Sequence, residues 1–222
     1  CDEPVSIGAM VGPEAFFEVR YLQHHKQLRA LDLIPQLAAE FKQQFGRDSG
    51  GLVRTYQCED ADTIVVALGS INGTVKDAVD DVRASGQKAG VLTICSFRPF
   101  PLDAVRAALK NAKRVVVLEK TLAVGLGGVV SDGVRKALSG IVLRGYTVIA
   151  GLGGRSITKR SLVNLLKRAD KDDLEALSFL DLNWDVVNRE LERGKAQRRA
   201  GPSAENILRD LHGAQGAVGR TA

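Results

Sequence analysis

The sequence predicts an α/β fold: a mainly parallel sheet flanked by helices, with helical extensions at the N-terminal and C-terminal ends. Short apolar, β-branched runs recur at DTIVVALG (62–69), GVLTICSF (90–97), RVVVLEK (114–120) and YTVIAGLGG (146–154). Such runs mark strands buried on both faces. Segments of helical periodicity lie between them, and that alternation is the signature of βα units with parallel pairing. The outer segments carry helical patterns without buried strands.

The elements follow in order. Residues 1–12, with Pro4, Gly8 and Gly12, read as an irregular lead-in. Pro13 suits a first helical position, where its missing N–H costs nothing. Phe17, Tyr21, Leu28 and Leu31 then share one helical face. Pro35 is expected to interrupt. A second helix, with Ile34, Leu37, Ala38, Phe41 and Phe45 on one side, is expected to stop at Gly46. Helices of this kind, polar on their opposite faces, pack on a partner surface.

After the turn GRDSGG (46–51), LVRTYQCE (52–59) alternates weakly and reads as an edge strand. Strand 62–69 is followed by a helix over Thr74–Ser85, with Val75, Ala78, Val79 and Val82 inward. Strand 90–97 is followed by a helix over Pro101–Ala112, with Leu102, Val105 and Leu109 inward. Strand 114–120 leads through GLGG (125–128) to a helix carrying Val130, Val134, Ala137 and Leu138. Strand 146–154 leads to a helix carrying Leu162, Leu165 and Leu166. Segments 170–183 and 184–194 read as short helices, 196–203 as a linker, 204–212 as a helix capped by Ser203, and 213–222 as a frayed tail. The resulting organisation is a helical portion over 1–50, an α/β domain over 51–170 and a helical C-terminal extension over 171–222.

Of the 222 residues, 45% are hydrophobic and 26% charged, which excludes collagen, coiled coil and wholesale disorder. No apolar run approaches the roughly 18–20 residues that span a bilayer, so no membrane partner is expected. The 31 basic and 26 acidic side chains leave +5, too mild for a nucleic-acid signature. The basic runs Arg155, Lys159, Arg160 and Lys195, Arg198, Arg199 are solvated surface or a patch facing anions or acidic proteins. Cys1, Cys58 and Cys95 lie far apart without CxxC spacing. That pattern excludes a disulfide framework and zinc or iron–sulfur ligation, and it predicts a cytoplasmic setting. Cys58 and Cys95 are expected to pack as small apolar groups.

In a sheet of this kind, ligands and partners meet the loops at the carboxyl ends of the strands. The loop GSINGT (69–74) offers Gly69, Ser70, Gly73 and Thr74 before a helix N-terminus. It is not GxGxxG, and the readings are an anion or interface site or Thr74 as a plain N-cap. In SFRPFP (96–101) two prolines fix an extended path, and Arg98 is left pointing at a partner or anion. GLGGRSITKR (151–160) offers Arg155 beside glycines, with Ser156 or Thr158 as cap, but lacks the GK[ST] of a P-loop. Glu119, beside Lys120, ends a strand at the binding edge. His24, His25 and His212 have no metal-ligand spacing around them. No complete catalytic constellation is legible, so no residue is assigned a catalytic or metal-binding role.

Five stretches together resemble the α-subunit region of the pyruvate:ferredoxin oxidoreductase family of 2-oxoacid:acceptor oxidoreductases. They are PVSIGAMVGPEAFFEVRYLQ (4–23), EDADTIVVALGSINGT (59–74), GVLTICSFRPFP (90–101), RVVVLEKTLAVGLGG (114–128) and VIAGLGGRSIT (148–158), in family order. The resemblance implies an enzyme complex that splits a 2-oxoacid, typically pyruvate, on thiamine diphosphate with magnesium. The complex passes the acyl group to coenzyme A and sends electrons through iron–sulfur clusters to ferredoxin or flavodoxin. It implies that 1–50 resembles the end of a thiamine-binding-type domain and 51–170 the C-terminal domain of transketolase, with an architectural, subunit-contact role. No cofactor is expected on this chain alone. Two alternatives stand beside it: the C-terminal domain of another thiamine enzyme, and a stand-alone anion- or nucleotide-binding α/β module.

Overall fold

The computed structural model describes residues 8, 10–196 and 203–218. Cys1, Arg198, Arg199 and most of the linker read at 196–203 lie outside them. The chain divides into two compact units, one running to Leu180 and one from Asp181.

The first unit opens with α1, Pro13–Phe45, one unbroken helix of 33 residues. This corrects the expectation of two helices parted at Pro35. Proline removes one N–H and its ring crowds the preceding turn, yet the helical path continues through it. Gly46 ends the helix as expected. It adopts φ 67°, a left-handed conformation that glycine tolerates, and its N–H donates to the Lys42 carbonyl. No residue of α1 is buried.

Six strands follow: β1 Val53–Tyr56, β2 Thr63–Ala67, β3 Ala89–Ile94, β4 Arg114–Glu119, β5 Arg144–Ile149 and β6 Leu177–Phe179. Between them lie α2 Asn72–Ala84, α3 Leu102–Leu109, α4 Val130–Ala137 and α5 Lys159–Asp170. The sheet order is β1-β3-β2-β4-β5-β6. All neighbours are parallel except β1, which pairs antiparallel with β3 from Val53 opposite Ile94. β6 is a strand where the sequence predicts a helix. Its three residues are too few for periodicity to reveal.

Alternation within the strands sends side chains to two cores. Val65, Val91, Val116 and Val148 pack against Val75, Val79 and Val82 of α2 and Leu162, Leu165 and Leu166 of α5. Ile64, Val66, Leu92, Val115 and Val117 pack against Val105 and Leu109 of α3 and Val134 and Ala137 of α4. Each such aliphatic side chain contributes about 1.5–3 kcal/mol on burial. Leu102, expected inward, is exposed at the first turn of α3.

The second unit holds α6 Trp184–Ala196 and α7 Ser203–Val218. Asn183 Oδ1 accepts the Val186 N–H at the start of α6. Arg189 and Arg193 both clasp Asp210 of α7 at 3.0 Å. Ser203 is the first residue of α7, and the helix runs on through 213–218, where the sequence predicts a frayed tail.

Candidate functional site

The helices after β2 and β4 lie on opposite faces of the sheet although the two strands are neighbours. Such a switch point opens a crevice at the carboxyl edge, the default place for a ligand in this architecture. The loops after β2, β3, β4 and β5 gather there, bringing Gly69, Ser70, Gly73, Thr74, Arg98 and Arg155 to one edge of the sheet.

The loop after β2 is more structured than its sequence suggests. Gly69, at φ 80°, turns the chain into a single 3-10 turn, Gly69–Ile71, that runs directly into α2 at Asn72. Thr74 therefore sits inside the first turn of the helix, and the N-cap reading is corrected: the cap position is Ile71, with no side-chain bond. Asn72 locks the turn from beneath. It is buried, donates Nδ2–H to the Gly69 carbonyl at 2.8 Å, and accepts from Thr93 Oγ1 at 2.8 Å. Gly69, Ser70 and Gly73 remain exposed above it.

Glu119 is fully buried at the end of β4. Its Oε2 accepts the N–H groups of Val129 at 2.8 Å and Val130 at 3.0 Å. Its Oε1 accepts both the N–H of Ser131 at 2.7 Å and the Ser131 hydroxyl at 2.6 Å. These N–H groups are the orphan donors of the α4 N-terminus, which also carries the positive end of the helix dipole. The anion that this terminus would otherwise recruit is thus the chain's own carboxylate. The intervening loop closes with a pair of backbone bonds between Ala123 and Gly127. Gly128 is required for the close approach, because a Cβ there would overlap Glu119 and Ser131. Both Glu119 oxygens are committed as acceptors, so the side chain is tied into the start of α4.

The loop SFRPFP turns rather than extends. The Arg98–Pro99 peptide is cis, and Ser96 Oγ donates to the Pro99 carbonyl at 3.3 Å. Arg98 folds back: its guanidinium lies 4.0 Å over the Phe97 ring and donates to the Phe97 carbonyl. It does not point outward as expected, although it stays exposed. Phe97 and Phe100 meet edge to face at 6.3 Å. The Phe100 ring in turn lies on Gly133 of α4, where a Cβ would approach Cζ to 2.6 Å.

In GLGGRSITKR the cap is Thr158, whose Oγ1 accepts the Ser161 N–H at 3.1 Å. Gly151 turns left-handed at φ 67°, and Ile157 closes over it. Arg155 is exposed and engaged in an interaction of its own. Lys159 pairs with Asp81 at 2.8 Å.

Cys58 and Cys95 are free thiols. Cys58 packs half-buried and donates to the Val91 carbonyl, and burial pushes its thiol pKa up. Cys95 is exposed, against the expectation of packing, because it follows β3 at the open carboxyl edge. His24 and His25 lie on the exposed face of α1. Among the described residues no three His, Cys, Asp or Glu side chains converge as metal ligands, and no helix is long and apolar enough to cross a membrane.

Sequence reasoning placed Glu119 at the binding edge but missed its partners, and it missed Asn72. The legible signals were a strand-ending Glu followed by a glycine-rich loop and a Ser in a helix, and an Asn between a glycine turn and a helix start.

Residues 61–162 match the family model described as pyruvate:ferredoxin oxidoreductase core domain II. Over 195 residues the chain is 40% identical to pyruvate synthase subunit PorA of Methanosarcina barkeri, covering 84% of this chain and 48% of that protein. It is 34% identical over 172 residues to the PorA subunit of Methanothermobacter thermautotrophicus, covering 78% and 44%. It is 33% identical over 165 residues to ketoisovalerate oxidoreductase subunit VorA of Pyrococcus horikoshii, covering 72% and 41%. The chain spans less than half the length of these relatives.

Proposed function

Since the chain belongs to the pyruvate:ferredoxin oxidoreductase family, we propose that it is part of the α subunit of a 2-oxoacid:ferredoxin oxidoreductase with an architectural role. The complex oxidises a 2-oxoacid, pyruvate first among them, with coenzyme A to acyl-CoA and carbon dioxide. Electrons leave through iron–sulfur clusters to ferredoxin or flavodoxin, in the cytoplasm. Thiamine diphosphate with magnesium supplies the bond-cleaving chemistry when bound elsewhere in the complex. Among the described residues no three His, Cys, Asp or Glu side chains converge, and the α4 N-terminus already holds Glu119, so no residue of this chain is assigned to that group. No step of the reaction is assigned to a residue of this chain.

The observation that carries this reading is the Glu119 cap. At the switch point of the sheet, where this architecture ordinarily receives an anion, the chain supplies its own. The edge bearing Gly69, Ser70, Gly73, Thr74, Arg98 and Arg155 then serves as a contact surface for other subunits or domains. Residues 1–50 are the helical end of a preceding thiamine-binding-type domain, which covers the exposed apolar side chains of α1. Residues 51–170 are the transketolase-C-terminal-like domain, and 171–222 a helical extension. The same cap weighs against a stand-alone phosphate-binding module.

The test is an anaerobic assay of ferredoxin reduction by pyruvate and coenzyme A. The chain alone gives no turnover, and the complex containing it does. Turnover by the chain alone overturns the architectural role.

A further inference from the structure

A cavity of about 210 Å³ opens between α4 and the β4–β5 part of the sheet. Val115, Val117, Val134, Leu138, Ile141 and Leu143 form its apolar walls. Gly145 of β5 forms part of its floor, and a Cβ placed there meets nothing within 4 Å. An engineered apolar cavity of about 150 Å³ already admits benzene, so this one has room for an aryl ring or a branched alkyl group. The lining is not wholly apolar. Thr147 is buried in it, and Arg135 of α4 reaches over to donate to Thr147 Oγ1 at 3.0 Å. A second Arg135 bond, to Asp132 at 2.9 Å, holds the other arm of the guanidinium. A guanidinium has five N–H donors, so Arg135 is positioned by two bonds and keeps donors to offer at the lining of the cavity.

We propose that the cavity between α4 and β5 binds a small amphipathic monocarboxylate, its aryl or branched alkyl group among the valines and its carboxylate on Arg135. Apolar walls with a few fixed polar groups are the usual make-up of a small-molecule site. A preorganised guanidinium is matched to a carboxylate by both charge and fork geometry. The site stands independently of the oxidoreductase reading.

The probes are phenylacetate and its neutral isostere phenylacetamide, titrated into the full chain. The readout is the methyl NMR signals of Val115, Val117 and Val134. The expected result is saturable shifts at those methyls, with phenylacetate the tighter ligand by about tenfold, or about 1.4 kcal/mol. Gly145→Val narrows the cavity and weakens both titrations by about tenfold or more while the protein melts as wild type. Arg135→Gln retains phenylacetamide binding and removes the preference for the acid. No saturable shift at the valine methyls overturns the proposal. So does undiminished binding in a folded Gly145→Val protein, or a preference for the acid that survives Arg135→Gln.

Discussion

Glu119 and Ser131 are joined twice, the same carboxylate oxygen accepting the Ser131 amide at 2.7 Å and its hydroxyl at 2.6 Å. Together with the amides of Val129 and Val130 on the other oxygen, this fastens the end of β4 to the start of α4 beside the switch point. The anion position at the α4 N-terminus is thereby occupied from within.

Removing that carboxylate strands buried donors. Glu119→Ala is expected to cost at least about 3 kcal/mol, since each orphaned buried group costs about 1–3 kcal/mol. Glu119→Gln costs less, because the amide keeps the shape and one acceptor. The measurement is the urea midpoint at unchanged slope. A change within about 0.5 kcal/mol for Glu119→Ala contradicts the role assigned to the cap.

Gly133→Ala tests the anchoring of the SFRPFP loop. The added methyl meets the Phe100 ring, whose Cζ stands 2.6 Å from where that Cβ would lie. Overpacking of this kind costs about 1–3 kcal/mol, and the double variant Gly133→Ala, Phe100→Leu should recover part of it. Additive losses in that cycle sink the idea of direct contact.

Asp172 governs part of the acid sensitivity. The Arg114 guanidinium, joined by Arg144, holds its carboxyl well below the usual carboxylate range. A depressed folded-state pKa contributes stability that is complete above the unfolded value near pH 3.9. That contribution is lost as pH falls through the folded value. Asp172→Asn, which tolerates the left-handed backbone at φ 55°, should therefore flatten the fall in stability below about pH 4. Identical slopes for the two proteins contradict it.

The apolar side chains of α1 lack cover in this unit: Phe17 is 80% exposed and Leu37 59%. The chain by itself should self-associate with rising concentration in sedimentation velocity, because apolar faces of this extent seek burial. Phe17→Glu with Leu37→Glu should return it to monomer. A wild-type monomer throughout the range argues that α1 needs no partner.

Much of the fold was legible because its signals are local. β2, β4 and β5 declared themselves as β-branched runs, and Val75, Val79 and Val82 as one helical face. β6 was hidden in three residues within a charged stretch, and Pro35 suggested a break that the helix does not make. The candidate edge was legible from topology alone, but its chemistry was not. The partners of Glu119 lie 10–12 residues further along, and only the return of loop 120–129 brings them together. Arg98 read as an outward cation because sequence does not reveal that Phe97 lies beneath it. Gly145, inconspicuous inside a strand, marks the cavity floor.

The proposed place of this chain is as a supporting part of a 2-oxoacid:ferredoxin oxidoreductase. The most direct test is anaerobic affinity capture of the full chain from native extract, with mass spectrometry of its companions. The expected result is stoichiometric recovery of a thiamine-binding portion and a cluster-bearing subunit. Recovery of the chain without them contradicts it.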